Sequence, residues 1–479
     1  MRHGTARHQM TIAQMELPLA TRGEAPPSER GGEARPTAQA HGRSGADDVM
    51  DRVVARSNLA QALQRVRQNR GSAGIDGMTV DELVPYLRTH WAGIREALLA
   101  GTYQPRAVRQ HQIPKADGGV RTLGIPTVLD RFIQQAVLQV LQPQFDPTFS
   151  EASFGFRPGR SAHDAVRRAQ QYVQDGRRWV VDIDLEQFFD RVHHDILMGK
   201  LHHRIADRRV LALIRRYLEA GMMVSGVVRE RTEGTPQGGP LSPLLANVLL
   251  DGVDKELERR GHCFVRYADD CNVYVRSRRA GERVMQALCG QYAKLRLRVN
   301  SAKSAVARVW ERSFLGFCFW VAPGRVVRRR VAPQAMTKLK HRIRTITARS
   351  GGRSVMQVVA ALRRYVVGWY QYFRLADTPR VFARLDRWIA RRLRALHVAQ
   401  WKRGPTVFRE LRRRHVPVAV AAMAAHFTGR WWRLSAFQGL HRGLSATYLA
   451  ELGVPRLTPV DLNSPNRRMR TRTSGGVGG

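Results

Sequence analysis

The chain is short of acids, of cysteine and of long apolar runs, and each shortage excludes something. Of its 479 residues only 39 are Asp or Glu, against 80 Lys and Arg, which leaves a net charge of +41. Like charges repel within a compact fold, so this balance calls for a polyanionic partner, and nucleic acid is the leading candidate. A general bias of composition toward arginine adds to the excess without explaining its clustering. The four cysteines, Cys263, Cys271, Cys289 and Cys318, form no C-x-x-C pair and no zinc spacing, which argues against disulfides and structural zinc. The longest uncharged apolar run, Val416 to Ala425, is about half of the ~20 residues a membrane span needs. The opening Met1-Arg2-His3-Gly4-Thr5 has no apolar signal core. A soluble, cytoplasmic protein with no membrane partner is expected.

What is present is enough for two to four subdomains, with 43% hydrophobic residues to fill their cores. No internal repeat is visible. Residues 1–47 are rich in Gly, Pro, Ser, Arg and Glu without apolar periodicity and read as a flexible leader. Residues 48–177 begin with helical spacing (Val53, Leu59, Leu63, Val66) broken by a Gly-rich loop from Gly71 to Gly77. A hairpin turning at Asp117-Gly118-Gly119 then joins His111-Gln112-Ile113 to Val120-Arg121-Thr122-Leu123. Helices are predicted over 129–141 and 162–173. Strands alternate with helices over 178–330, and 331–415 is almost entirely helical. That helical region is intensely basic: residues 321–420 hold 25 Lys and Arg against three acids, Asp377, Asp386 and Glu410. A basic C-terminal region, 416–479, follows as a candidate for DNA binding, its tail from Asn463 expected to be poorly ordered. The fold class is α+β.

The most informative stretch is Phe264-Val265-Arg266-Tyr267-Ala268-Asp269-Asp270-Cys271-Asn272-Val273-Tyr274-Val275. Two adjacent acids between strand-like apolar segments repel each other, and folding does not ask for them. A second strand, Trp179-Val180-Val181-Asp182-Ile183-Asp184-Leu185, sends Val181, Ile183 and Leu185 to one face and Asp182 and Asp184 to the other. Four such acids brought together would carry raised pKa values unless cations neutralised them. Carboxylate oxygen is the preferred ligand of magnesium, and a pair of such ions serves in-line phosphoryl transfer. Read alone, the same acids also suit a solvated turn and a surface stripe.

Tyr267-Ala268-Asp269-Asp270 resembles the Y-x-D-D signature of reverse transcriptases. Asp184, followed five positions later by Phe189, looks like their first catalytic aspartate and steric-gate aromatic. The resemblance therefore implies that Asp184, Asp269 and Asp270 are the catalytic metal ligands for two Mg2+ ions, leaving Asp182 as a supporting or surface acid. Gly234-Thr235-Pro236-Gln237-Gly238-Gly239-Pro240-Leu241-Ser242-Pro243 reads as a loop feeding a helix, with Ser242 as its N-cap. It resembles the motif that floors the family's nucleotide pocket, which would set Gln237 beside the incoming nucleotide. Lys115 and Arg121 on the first hairpin match a fingers motif that binds triphosphate. Lys303, in Val299-Asn300-Ser301-Ala302-Lys303, matches a later palm motif and is either a proton donor to pyrophosphate or a surface lysine. Phe314-Leu315-Gly316-Phe317 resembles the last palm motif and is expected to pack. His193 and His194 have no metal-site spacing and are read as structural.

Phe154-Gly155-Phe156-Arg157-Pro158-Gly159-Arg160-Ser161-Ala162-His163-Asp164-Ala165 is similar to the reverse transcriptases of bacterial group II introns, with Arg157 and Arg160 as nucleic-acid contacts. On a helical wheel over 382–396, Phe382, Leu385, Ile389, Leu393 and Leu396 form one side, while Arg384, Arg387, Arg391 and Arg394 offer guanidinium groups to phosphates on the other. The aromatics of Gly368-Trp369-Tyr370-Gln371-Tyr372-Phe373 fill a core or stack on bases. Gly368-Trp369 through Trp388-Ile389 resembles the maturase-specific thumb of intron proteins.

The resemblance, from about Asn58 to Lys402, implies a right-hand polymerase with fingers and palm followed by an α-helical thumb. Its expected partners are group II intron RNA, an RNA template, a DNA primer or target and deoxynucleotide triphosphates, for retrohoming and assisted splicing. Many relatives carry a C-terminal endonuclease built on paired cysteines, whereas this chain has none after Cys318. The implied consequence is no second-strand cleavage and priming from an existing DNA 3′ end, such as one at a replication fork. Two rivals stay open: a non-enzymatic splicing cofactor, and a related reverse transcriptase recruited to defence, template-repeat mutagenesis or DNA repair.

Overall fold

Clusters of β-branched and aromatic residues mark where the chain extends into strands. The computed structural model describes residues 48–114, 119–224, 227–229, 231–236, 238–427 and 429–458; the expected leader and tail lie outside them. β1 (Val108–Pro114) and β2 (Val120–Ile125) pair antiparallel as expected, with Ile113 opposite Arg121, while Asp117 and Gly118 of the expected turn lie outside the described residues. There follow β3 (Trp179–Ile183), β4 (Met222–Val224), β5 (Val227–Arg229), β6 (Cys263–Tyr267), β7 (Asp270–Val275), β8 (Ala305–Arg308), β9 (Phe317–Val321) and β10 (Val327–Val331). One sheet has the order β2-β1-β4-β5, a second β6-β7-β3-β8, and β9 pairs with β10.

The chain divides into two units, one ending at Arg308 and the other beginning at Val309. In the first, period-two alternation sets up the second sheet as expected: Val181, Ile183 and Leu185 are buried in a common core. The helix Arg278–Lys294 covers that face, and its Gly281 lies so close that a Cβ there would stand 2.5 Å from a Val306 methyl. The helix Ala162–Gln174 opens on a capping box, in which Asp164 N–H donates to Ser161 Oγ and Ser161 N–H to Asp164 Oδ2. The helix Val128–Phe145 starts on Thr127, whose hydroxyl oxygen accepts from Asp130 N–H. Ser242 departs from expectation. It is the first residue inside the helix Ser242–Arg259, and Leu241 is the N-cap. Its hydroxyl is drawn back to the preceding loop instead, donating to Pro236 O at 2.8 Å and accepting from Thr235 Oγ1 at 3.0 Å.

The second unit holds the hairpin β9–β10, which the sequence reading grouped with the strand-and-helix region ending at residue 330. Phe317 explains the difference: its ring lies 5.7 Å from Tyr372 and 5.2 Å from Phe373, on the helix Val355–Phe373. Arg329 on β10 adds a two-pronged ion pair with Asp377 at 2.9 and 3.0 Å. Phe314 and Phe317 are buried, as a packing motif requires. The helical reading is met by Pro333–Ile346, Val355–Phe373, Pro379–Trp401 and Gly404–Arg413. Packing does not stop at residue 415. Val416, Ala421, Ala424, Leu434, Leu440 and Leu444 share a core with Val398, Val407 and Leu411. Among the described residues no helix is long and apolar enough to cross a membrane.

Within this helical unit His397 is 6% exposed, between the rings of Trp401 and Tyr448, and its Nε2 has no hydrogen-bond partner among the described residues. Burial, then the nearby Arg414 charge, lowers its pKa from 6.5 to about 4. The unfolded chain therefore takes up the proton first, so this contribution to stability is complete above about pH 6.5 and is lost as pH falls toward 4. Calorimetry of the full chain should show the melting temperature of this unit dropping across that window, and His397→Phe should flatten the drop.

Candidate active site

Strand register brings the expected acids to one end of one sheet. Ile183 pairs with Cys271 and Asp182 with Asn272 across β3 and β7. Asp184 follows directly on Ile183 and Asp270 precedes Cys271, so the two acids lie at the same end of the paired strands, close enough for their charges to interact. Tyr267 pairs with Asp270 across β6 and β7, so Ala268 and Asp269 are the two residues of the connecting turn. Asp270 keeps contact with solvent, yet it is pushed up to about 7 by partial loss of water around it, then by the charges of Asp269, Asp182 and Asp184. With its amide nitrogen facing Asp182, Asn272 donates to Oδ1 at 2.8 Å, which orients that acid.

The neighbouring turn locks the main chain at Asp184. Its N–H donates to Ser304 Oγ at 3.0 Å and its carbonyl accepts from Asn300 N–H at 2.8 Å. Asn300 Oδ1 in turn accepts from the N–H groups of Ala302 and Lys303, so exposed Lys303 sits on the turn that is bonded to Asp184. Among the described residues no three His, Cys, Asp or Glu are gathered into a ready-made metal cage. Magnesium does not require one, since it keeps several waters and is held through one or two carboxylates together with substrate phosphates. Carboxylates gathered at one sheet end, with Asp270 raised by burial and then by its acidic neighbours, offer the oxygen donors that suit a divalent cation.

The acidic turn is clamped from beneath by residues that sequence reasoning missed. Arg266, fully buried on β6, donates through Nε to Asp254 Oδ1 at 2.8 Å and through Nη2 to Asp254 Oδ2 at 2.6 Å. Its Nη1 donates to Asn247 Oδ1 and to Ala268 O, both at 2.9 Å, and Nη2 also reaches Ser153 Oγ at 2.8 Å. Burial works against the charge on Arg266, but the Asp254 carboxylate outweighs it and raises the guanidinium pKa. Asn247 closes the ring by donating to Gly155 O at 2.9 Å. A Cβ on Gly155 would lie 2.1 Å from Ala268 N, so only glycine lets the segment around Phe154 seat against the turn. The available signals were an arginine inside an apolar strand and an aspartate on the apolar side of Leu250, Val253 and Leu257.

Phe189 is half-buried on the 3-10 turn Phe188–Arg191, edge-on to Phe188 at 5.1 Å. Its carbonyl accepts from Thr235 N–H at 2.7 Å, which ties it to the glycine-rich loop. Gly234 in that loop has φ +89° and packs on Asp190 O, a place no side chain fits. His194 is buried with Nε2 2.7 Å from Gly234 O, a structural role as expected. Lys115 and Gln237 lie outside the described residues, and Arg121 is placed only by its backbone on β2.

The arginines fall into two groups. Arg157 is buried and spends its donors on Asp146, Ser150 O and Ser153 O, and Arg160 pairs with Glu151, so both fold their own loop. Arg384 and Arg387 are exposed as the wheel requires. Arg391 lies over the Trp432 ring at 4.2 Å, and Arg394 is 7% exposed with Nε on Leu444 O. Arg394 therefore leaves the exposed row, because residues near 440 fold over that turn of the helix. The aromatics around Trp369 pack mainly on one another and on Phe317 and Phe382.

Residues 113–319 match the reverse transcriptase (RNA-dependent DNA polymerase) family model, and residues 336–415 match the group II intron, maturase-specific domain. Protein YkfC of Escherichia coli strain K12 is 38% identical over 208 residues, 42% of this chain and 55% of that protein. Group II intron-encoded protein LtrA of Lactococcus lactis subsp. cremoris is 37% identical over 195 residues, 40% of this chain and 32% of its own. Nuclear intron maturase 2, mitochondrial, of Arabidopsis thaliana is 28% identical over 177 residues, 29% of this chain and 24% of its own. The matches thus span between a quarter and just over half of these relatives. A solved partial Cas6-RT-Cas1-Cas2 complex has a TM-score of 0.34 at 26% identity over 52% of this chain and 42% of its own, too low a score to bear on the fold.

Removing one partner of a buried ion pair strands the other charge. Arg266→Met should accordingly cost about 3–5 kcal/mol in denaturant unfolding. The double variant Arg266→Met with Asp254→Leu should recover much of that loss.

Proposed function

On the premise that the chain joins a reverse transcriptase domain to a group II intron maturase-specific domain, as an intron-encoded reverse transcriptase/maturase does, we propose that it copies RNA into DNA from a primer 3′ end. We read residues 48–177 as an N-terminal extension and fingers, the strand-and-helix region from 178 as palm, and the helices of 331–415 as a thumb that grips intron RNA and assists its splicing. The observation that supports the polymerase reading is the β3–β7 register, whose last pair, Ile183 with Cys271, leaves Asp184 and Asp270 at one end of the sheet, inside the segment that matches the reverse transcriptase family.

In this reading Asp184, Asp269 and Asp270 hold two divalent magnesium ions between them. What bound magnesium supplies at such a set is a lowered pKa for the attacking hydroxyl and countercharge for the triphosphate. The chain itself does the positioning. Arg266 and Gly155 fix the turn that presents Asp269 and Asp270, while Ser304 and Asn300 fix the backbone of Asp184. Phe189, tethered through its carbonyl to Thr235, supplies bulk against a ribose 2′-hydroxyl. Lys115, Arg121, Gln237 and Lys303 are the proposed contacts to the deoxynucleotide triphosphate, and exposed Arg384 and Arg387 the proposed contacts to RNA phosphates. The match of 336–415 to the maturase-specific domain supports splicing assistance alongside polymerisation.

Primer extension on an RNA template in magnesium tests the reading directly. Asp269→Asn, a neutral and poor magnesium ligand, should lower extension at least about 100-fold, since such ions contribute several kcal/mol to the transition state. RNA affinity should be unchanged, and extension at the unsubstituted rate would reject the assignment of these acids. Phe189→Ala should raise ribonucleotide incorporation relative to deoxynucleotide, measured as the ratio of kcat/KM values. An unaltered ratio would remove Phe189 from the gate.

A further inference from the structure

The helical unit contains a cavity of about 650 Å³ between the helix Pro379–Trp401 and the segment from Ala436 to Thr458. This lies within the roughly 300–1,000 Å³ typical of sites for small organic molecules. Its walls are apolar where Ile389, Ala390, Leu449 and Val454 meet. Four arginines line it as well, Arg387, Arg391, Arg394 and Arg456, against a single carboxylate, Asp386. That carboxylate is already engaged, accepting from Leu457 N–H at 2.8 Å, Thr458 N–H at 3.0 Å and the Thr458 hydroxyl at 2.5 Å.

Arg394 is the telling residue. It is 7% exposed, its Nε donates to Leu444 O at 3.0 Å and its Nη1 stands 3.5 Å from His441 Nε2. No carboxylate among the described residues pairs with it. A guanidinium taken out of water without a countercharge is costly, and burial lowers its pKa with no acid to offset the effect. Arg391 is held flat over Trp432 at 4.2 Å, and Arg387 and Arg456 are exposed at the rim with no ion pair among the described residues. The ligand this chemistry recognises has a flat, weakly polar body for the alanine and leucine walls and an anionic group for Arg394. An unstacked nucleotide meets both requirements, because a splayed base buries against apolar walls and guanidinium planes while its phosphate stays charged.

We infer that this cavity captures a single unstacked nucleotide of a single-stranded polynucleotide, with its base against Ala390 and Leu449 and its phosphate toward Arg394 and the rim arginines. The inference rests on the nucleic-acid reading above, although the site lies in the second unit and reaches past residue 415, where the maturase-specific match ends. The basic C-terminal tail is a poor occupant, since its arginines would be repelled by those of the cavity.

The test uses the full chain with short single-stranded RNA and DNA oligomers carrying a fluorescent adenine analogue, and a duplex of the same sequence. In the unsubstituted protein one analogue position should be shielded from a soluble quencher. Ala390→Phe, which fills the cavity, should abolish that shielding and weaken single-strand binding roughly five- to hundredfold, the worth of one stacked base. Arg456→Gln, an exposed change that cannot disturb the core, should weaken binding and reduce the salt slope by about 0.7. Tighter binding of RNA than DNA would assign the pocket to template or intron, and the reverse to a DNA strand. Equal affinity for duplex, no shielded position, or full single-strand binding by both variants would overturn the inference. Primer extension by the unsubstituted protein is scored separately. Its absence with capture intact would reject the polymerase reading and leave the cavity assignment standing.

Discussion

A guanidinium shut away from water needs acceptors for its five N–H donors, and the acidic end of the first unit is built around one that finds them. Arg266 divides its donors among Asp254, Asn247, Ser153 and Ala268 O. Those acceptors come from the helix Ser242–Arg259, from the segment before Gly155 and from the acidic turn itself. A buried ion pair is weak support for stability, because desolvation offsets much of its attraction. Its stronger effect is geometric: three pieces of chain remote in sequence are held to one planar fork. The turn needs such a hold, since Ala268 sits at φ 59°, a left-handed conformation that costs a non-glycine residue about 1–2 kcal/mol.

The first unit thus carries two kinds of aspartate, one on the helix Ser242–Arg259 and one at the end of β7. Asp254 is sealed in the core and neutralised by a dedicated cation, which makes it part of the scaffold. Asp270, at the end of β7, remains in contact with solvent under the combined field of Asp269, Asp182 and Asp184. The scaffold pair is complete without any ligand. The acidic set instead gathers like charges at a solvent-facing end of the sheet, an arrangement the scaffold pair does not share.

Period-two alternation in 179–185 and the adjacent acids at 269–270 were legible because each depends on neighbours within a few residues. So was the helical run from 333 to 413, whose spacing and capping are local. What stayed hidden depends on partners far along the chain. A wheel gives the angle at which Arg394 leaves its helix but not that Leu444, fifty positions on, covers it. Ser242 has the composition of an N-cap, yet its hydroxyl is claimed by Pro236 O, so the helix takes it in as its first residue. Phe317 lies beyond the last strand of the second sheet and joins the helices because Tyr372 and Phe373 present an aromatic surface to it. Gly155 read as part of a family signature, and its reason became visible only in the 2.1 Å that a Cβ would leave to Ala268 N.

The net charge of +41 invites the view that the helical unit is a continuous phosphate-binding surface. Its arginines argue for a more selective one. Arg353 donates to Ile346 O at 2.8 Å and Arg392 to the Thr347 hydroxyl at 2.6 Å and Arg344 O at 3.3 Å, which satisfies carbonyls left open at the end of the helix Pro333–Ile346. Arg414 lies over both Trp401 and Tyr448 at 5.2 Å while pairing with Glu410. Each of these spends a guanidinium on the fold, where its planar fork and weak hydration suit it to carbonyls and rings better than lysine. The cations left facing solvent are then a subset at defined places, such as Arg384 and Arg387 on the exposed side of one helix. Binding through a few oriented groups is more selective for shape than binding through a uniform field, as recognition of a folded RNA demands.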